Sequence, residues 1–268
     1  YDGTSWNKLG DDIDGEAARN YSGWSVSLSS DGSKVAIGAW ANDGNYGDSG
    51  HVRIYEYNNS TNAWNKLGDD IDGEALNDLS GYSVSLSADG SRVAIGAIFN
   101  SGINGYFSGH VRIYDYNGSA WTQVGSDIDG EAAADFLGRT VSLSSDGSRV
   151  AIGANGNDDN GSNAGHVRIY DYNGSAWVQV GTDIDGEAAG DQSGYSVSLS
   201  ADGSRVAIGA IFNNGNSGHT RIYEYNSSTR AWVQVGTDID GEAADDRSGR
   251  SVSLSSDGSR VAIGAPYN

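Results

Sequence analysis

Cysteine is absent from the 268-residue sequence, which excludes disulfide frameworks, thiol nucleophiles and cysteine metal sites. Methionine is absent as well, even at position 1, so the chain is expected to be processed or to be a piece of something longer. Basic residues are few: 16 Lys and Arg stand against 36 Asp and Glu, for a net charge of −20. Like charges repel, so nucleic acid and anionic membrane surfaces are not expected partners. No apolar run approaches the roughly 20 residues that a membrane-spanning helix requires, and no signal peptide opens the chain, so membrane insertion is not expected. What remains is an acidic, glycine-rich chain, with 40 glycines, of a kind expected outside the cell.

The sequence is rich in repetition. Trp6, Trp64, Trp121, Trp177 and Trp232 recur at spacings of 58, 57, 56 and 55 residues. Each carries the same phrases: Asp-Ile-Asp-Gly-Glu, then Val-Ser-Leu-Ser, then Val-Ala-Ile-Gly-Ala, then Gly-His-Val/Thr-Arg-Ile-Tyr, the last only four times. A fixed period of this length marks a repeat architecture. Each unit holds four short β-like runs and no helical periodicity. We name them after their first copies the serine strand (25–29), the alanine strand (35–39), the histidine strand (51–57) and the tryptophan strand (64–71). Asp31-Gly32 and Asn117-Gly118 have the chemistry of tight hairpin turns.

In Ser-Val-Ser-Leu-Ser and Val-Ala-Ile-Gly-Ala one face is bulky and the other carries only Ser, Ala or Gly. Neither is charged, so both are expected to be covered, the bulky face of one unit against the small face of another. That is the arrangement of radial blades. The fold expected is all-β: one five-bladed β-propeller of four-stranded antiparallel blades over residues 1–268, in repeats of about 55 residues. The runs number nineteen where five full blades need twenty, because the fifth unit has no histidine strand. The tryptophan strand at the front would close the ring onto the last unit. The remaining gap implies a longer chain or another segment that fills it, and we favour the longer chain.

Phe136-Leu137-Gly138, Gly153-Ala154 and Gly264-Ala265-Pro266 resemble the FG-GAP repeat, which builds the propeller of integrin alpha subunits and of many secreted bacterial and algal proteins. The resemblance runs over all five units. It implies an extracellular or cell-surface binding or adhesion role, often with calcium in an Asp-x-Asn-x-Asp-Gly loop between the first two strands. Here Ser29-Ser30-Asp31-Gly32-Ser33 and its copies take that place and are too short to wrap an ion seeking six to eight oxygens. Most copies also read Ser-Gly where the family has Phe-Gly, and five units depart from the seven blades of integrins.

Three groups of residues are candidate sites on the face carrying the long links. The acidic loops place Asp12, Asp14 and Glu16, Asp70, Asp72 and Glu74, Asp127, Asp129 and Glu131, Asp183, Asp185 and Glu187, and Asp238, Asp240 and Glu242 in one ring. These 15 carboxylates could hold calcium, which would relieve their repulsion, or each Asp could cap its own turn. Strict repetition favours the caps. The alanine-to-histidine loops carry Trp40, Phe99, Tyr106 and Phe212 beside Asn and Asp, which suits a sugar: a ring stacks on a pyranose face while amides read hydroxyls. One such loop holds Asn155, Asn157 and Asp159 at the alternate spacing of a calcium loop, with the glycine misplaced. Finally Trp24, Tyr82, Arg139, Tyr195 and Arg250 occupy one repeat position near the channel mouth, as pocket lining or as plugs.

The four histidines, each at the head of a third strand, are expected to bond within their own blades rather than share one ion. No serine or carboxylate partner recurs beside them at a catalytic spacing. The expected function is therefore a non-enzymatic binding module for a glycan or protein. The alternative is a structural protein that assembles with copies of itself through an unpaired blade edge. A glycoside hydrolase, suggested by the paired carboxylates, is third.

Overall fold

The computed structural model describes residues 3–268. Its strands form five antiparallel sheets, arranged as successive blades. In the first blade the serine strand is Ser25–Leu28, the alanine strand Lys34–Ala39, the histidine strand His51–Asn58 and the tryptophan strand Ala63–Lys66. The order is that of the sequence, with Val26 opposite Ile37, Val35 opposite Tyr55 and Tyr57 opposite Trp64. The turn at Asp31 is built by its own side chain: Oδ1 accepts from the Ser33 N–H at 2.9 Å and the Ser29 hydroxyl at 2.7 Å. Gly32 follows at φ 70°, a conformation that disfavours a Cβ.

The tryptophan strand differs from expectation. Gly68, at φ 79°, interrupts it, and the chain returns as a two-residue strand, Ile71–Asp72, paired with the head of the same histidine strand. The Ile-Asp pair of the acidic phrase is therefore strand in the first four blades.

Packing between blades follows the two-faced pattern. Ser27 Oγ accepts the Leu86 N–H at 2.9 Å, and Ser85, Ser142 and Ser198 accept those of Leu143, Leu199 and Leu254 at 3.0 Å. The small face of each blade thus lies on the bulky face of the next. Ala36, Val52 and Ile54 meet Val84, Leu86, Val93 and Ile95 in one buried cluster, and the next interfaces repeat it. Each fully buried Ile or Val contributes roughly 1.5–3 kcal/mol. On the outer rim the indole N–H of Trp121 donates across the interface to the Leu67 carbonyl at 2.7 Å, and Trp177 and Trp232 do the same to Val124 and Val180 at 2.9 Å.

The fifth blade is incomplete, as expected, but it holds two strands among the described residues, Ser251–Leu254 and Val261–Gly264. The front segment does not join it as a strand: among the described residues no strand forms before Ser25, and Trp6 is 87% exposed. In every complete blade the tryptophan strand pairs with a histidine strand. The fifth blade has none to offer, so the front segment has no edge there. It lies instead beside blade one, where the Leu9 carbonyl accepts the Trp64 indole N–H at 3.0 Å. Val26 and Leu28, 62% and 61% exposed, remain uncovered where Val84 and Leu86 are buried. The blades form an open arc.

Candidate binding face

The alanine-to-histidine loops and the links that enter each serine strand meet on one face. Tyr21, Leu79 and Phe136 occupy one repeat position in these links, each with left-handed backbone at φ 52°, 57° and 57°. Such a conformation costs on the order of 1–3 kcal/mol. It sets their side chains against the loops: Tyr21 stacks on Trp40 at 4.7 Å between ring centroids and 9° between planes, and Phe136 lies 5.8 Å from Phe99.

Trp24, Trp40, Leu79, Tyr82, Ile98, Phe99, Phe136, Arg139 and Asn155 together line a cavity of 430 Å³ between the first three blades, within the range of small-molecule sites. Its walls are mostly aromatic. Its polar groups are the Arg139 guanidinium and the Tyr82 hydroxyl, to which Arg139 Nη1 donates; the Trp40 indole N–H and the Asn155 amide oxygen are buried without a hydrogen-bond partner. Five of the expected ligand residues converge here: Trp24, Trp40, Tyr82, Phe99 and Arg139. Tyr195 and Arg250 continue the same row of side chains beyond the cavity. Arg139 Cζ sits 5.0 Å from the Tyr82 ring and 4.1 Å from that of Tyr195, whose hydroxyl accepts from Arg250 Nη1 at 2.8 Å. Tyr106 is 79% exposed, and Phe212 packs under Arg247 at 5.0 Å, so neither lines the cavity. Leu79, Ile98, Phe136 and Asn155 complete the lining, and Tyr21 stacks on Trp40 outside it. The repeat position of Tyr21, Leu79 and Phe136, which varies in the same way as that of Trp24, Tyr82 and Arg139, was the available signal.

The acidic loops resolve differently. The carboxylates of one loop do not converge on a single point. The first Asp and the Glu of adjacent loops meet instead at a buried histidine: Glu16 and Asp70 at His51, Glu74 and Asp127 at His110, Glu131 and Asp183 at His166, Glu187 and Asp238 at His219. Asp70 Oδ2 stands 3.6 Å from His51 Nδ1 and accepts from Arg53 Nε at 3.2 Å, while Arg53 also binds Glu16. Each histidine is thus bracketed by two blades. Burial lowers the pKa of His51 and His219, and pushes that of His110 down to about 4, so all three are neutral at pH 7.

The second Asp stays outside these groups. Asp72, Asp129, Asp185 and Asp240 lie opposite the histidines in strand register, and burial raises the carboxyls of Asp129 and Asp185. Asp12 pairs with Lys8 at 2.8 Å, and neither Asp14 nor Glu242 joins a histidine group. The cap of the turn comes from a later, buried Asp: Asp78 Oδ2 accepts the N–H groups of Glu74 and Ala75 at 3.1 and 2.8 Å, Asp135 repeats both bonds, and Asp191 and Asp246 accept the alanine N–H. The expectation that the acidic-loop Asp residues cap their own turns is therefore replaced.

Among solved structures, the fold is similar to a periplasmic gluconolactonase from Pseudomonas aeruginosa, at 14% identity and a TM-score of 0.58, over 89% of this chain and 64% of that one. It is also similar to hydrazine synthase from Kuenenia stuttgartiensis, at 14% identity and a TM-score of 0.56, over 90% of this chain and 61% of that one. The chain thus spans less than two thirds of either relative, and likeness at this identity concerns the fold. No curated protein matches the sequence. No helix among the described residues is long and apolar enough to cross a membrane. Residues 124–170 match the FG-GAP repeat family, and this span runs from the end of one tryptophan strand to the next histidine strand. The chain is a β-propeller, and the unit at residues 124–170 matches the FG-GAP repeat.

Proposed function

We propose that the chain is an extracellular binding module that holds a sugar ring of a glycan in the aromatic cavity of its long-loop face. The observation that carries this reading is the cavity itself: mostly aromatic walls with one guanidinium, that of Arg139, among them. Aromatic faces pack on the C–H faces of a sugar, and the Arg139 N–H groups not engaged by the Tyr82 hydroxyl can donate to its hydroxyls. No serine–histidine pair lies in the cavity lining, which favours binding over catalysis. The test is a glycan array followed by calorimetry on the best hit. Trp40→Ala with Phe99→Ala should weaken binding at least tenfold while Phe212→Ala leaves it unchanged; equal binding by all variants overturns the reading.

A second reading rests on the open arc. The first blade leaves the bulky Val26 and Leu28 uncovered, and the last leaves Ser251 and Ser253 uncovered on the complementary small face. Head-to-tail association of copies would bury both. Light scattering over a concentration series tests it, because a mass that stays monomeric to high concentration excludes self-assembly.

A further inference from the structure

The histidine of the third blade differs from the other three in the carboxylates around it; its lack of hydrogen bonds at both ring nitrogens is shared with His219. His166 is 0% exposed, and neither Nδ1 nor Nε2 has a hydrogen-bond partner. Nδ1 faces Asp183 Oδ2 at 3.6 Å and Asp159 Oδ2 at 4.0 Å, and Glu131 completes a group of four potential ligands. Asp159 is the addition: the residue seven positions before the histidine is Gly44 in the first blade and Ile103 in the second. We propose that Glu131, Asp159, His166 and Asp183 bind one divalent transition-metal ion of the zinc type.

Three arguments support this chemistry. Two ligands about 2.1 Å from one ion at the tetrahedral angle stand about 3.4 Å apart; the 3.6 Å separation is already close to this, and the others, all within 4.8 Å, need side-chain shifts of about 1 Å or less toward a shared ion. A buried imidazole nitrogen suits zinc and its neighbours, whereas calcium takes oxygen ligands. Charge then separates this site from its copies. Three carboxylates face Arg168 alone, which leaves two negative charges for a divalent ion to neutralise. At His51 two carboxylates are already balanced by Arg53 and Lys66. At His110 and His219 two carboxylates face one arginine, so a divalent ion would leave the site positive. Gln179 donates to Asp183 Oδ1, which orients the other oxygen toward the imidazole.

The experiment is calorimetric titration of the chelator-treated chain with zinc, alone and in millimolar calcium, with cobalt as a spectroscopic probe. The expected result is one equivalent of zinc, not displaced by calcium, and a visible cobalt absorption of a nitrogen- and oxygen-ligated site. Asp159→Asn lies on an exposed loop and should keep the fold, verified by its melting temperature, while weakening zinc at least tenfold. Glu74→Gln, at the His110 group, should leave zinc binding unchanged. The proposal is overturned by no zinc binding, by full binding in Asp159→Asn, by equal loss in Glu74→Gln, or by displacement with calcium.

Discussion

Gly153 sits in the third alanine strand, Arg149–Ala154, and a Cβ built there would stand 2.0 Å from the carbonyl oxygen of Gly194 in the next blade. Carbon atoms need roughly 3.5 Å to their neighbours, so Gly153→Ala requires the two sheets to part by about 1.5 Å. The partner is backbone, held by its own hydrogen bonds, and cannot rotate away. The cluster that would open includes Ala151, Val167, Val197 and Ile208, all buried. Overpacking of this kind costs about 1–3 kcal/mol. At about 2–4 °C per kcal/mol for chains of this size, the melting temperature should fall by roughly 2–12 °C. Gly264 is the internal control. It holds the same repeat position in the last blade, where the Cβ would meet only the rotatable Ser251 hydroxyl at 2.4 Å and nothing else within 3.6 Å. Gly264→Ala should stay within about 0.5 kcal/mol of the parent. Urea and thermal unfolding of both variants decide the matter, and equal effects would refute the claim that carbonyl approach between blades selects this glycine.

Acid should act on the serine–aspartate turns. The Ser33 N–H, then the Ser29 hydroxyl, hold the Asp31 carboxyl at about 2 against its ordinary 3.8. A carboxylate with a depressed folded pKa stabilises above its unfolded value and loses that contribution as pH falls through the folded one. The melting-temperature gap between the parent and Asp31→Ala should therefore be full above pH 5 and narrow from pH 3.8 toward 2; a constant gap contradicts the cap. For assembly, Val26→Asp with Leu28→Asp should abolish any concentration-dependent mass seen by light scattering, and persistence of the assemblies would locate the contact elsewhere.

Blade count, strand order and the two-faced packing were legible in the sequence because they follow from local alternation repeated in every unit. Val-Ser-Leu and Val-Ala-Ile-Gly admit one arrangement that buries both faces. Trp24, Trp40, Tyr82, Phe99 and Arg139 were legible as site residues because they vary where their neighbours repeat. Phe212 and Tyr106 shared that variability, yet the cavity lies between the first three blades and a single repeat cannot report which units face it. Closure of the ring was not legible, because the angle between blades is set by interfaces rather than by any one strand. Nor was the meeting of Glu131 with Asp183, which are close only because one blade's outgoing loop crosses onto the next.

Each blade leans on its two neighbours and on little else, and this governs how the molecule comes apart. Stability in such an array is a sum of unit and nearest-neighbour terms. The interior blades, joined to one another by sealed clusters and indole latches, gain from both sides; the first and last blades gain from one. Opening should begin at the ends and travel inward, so amide exchange in the strands around Val26 and Ile263 will be faster than around Ile152, within a single uninterrupted fold.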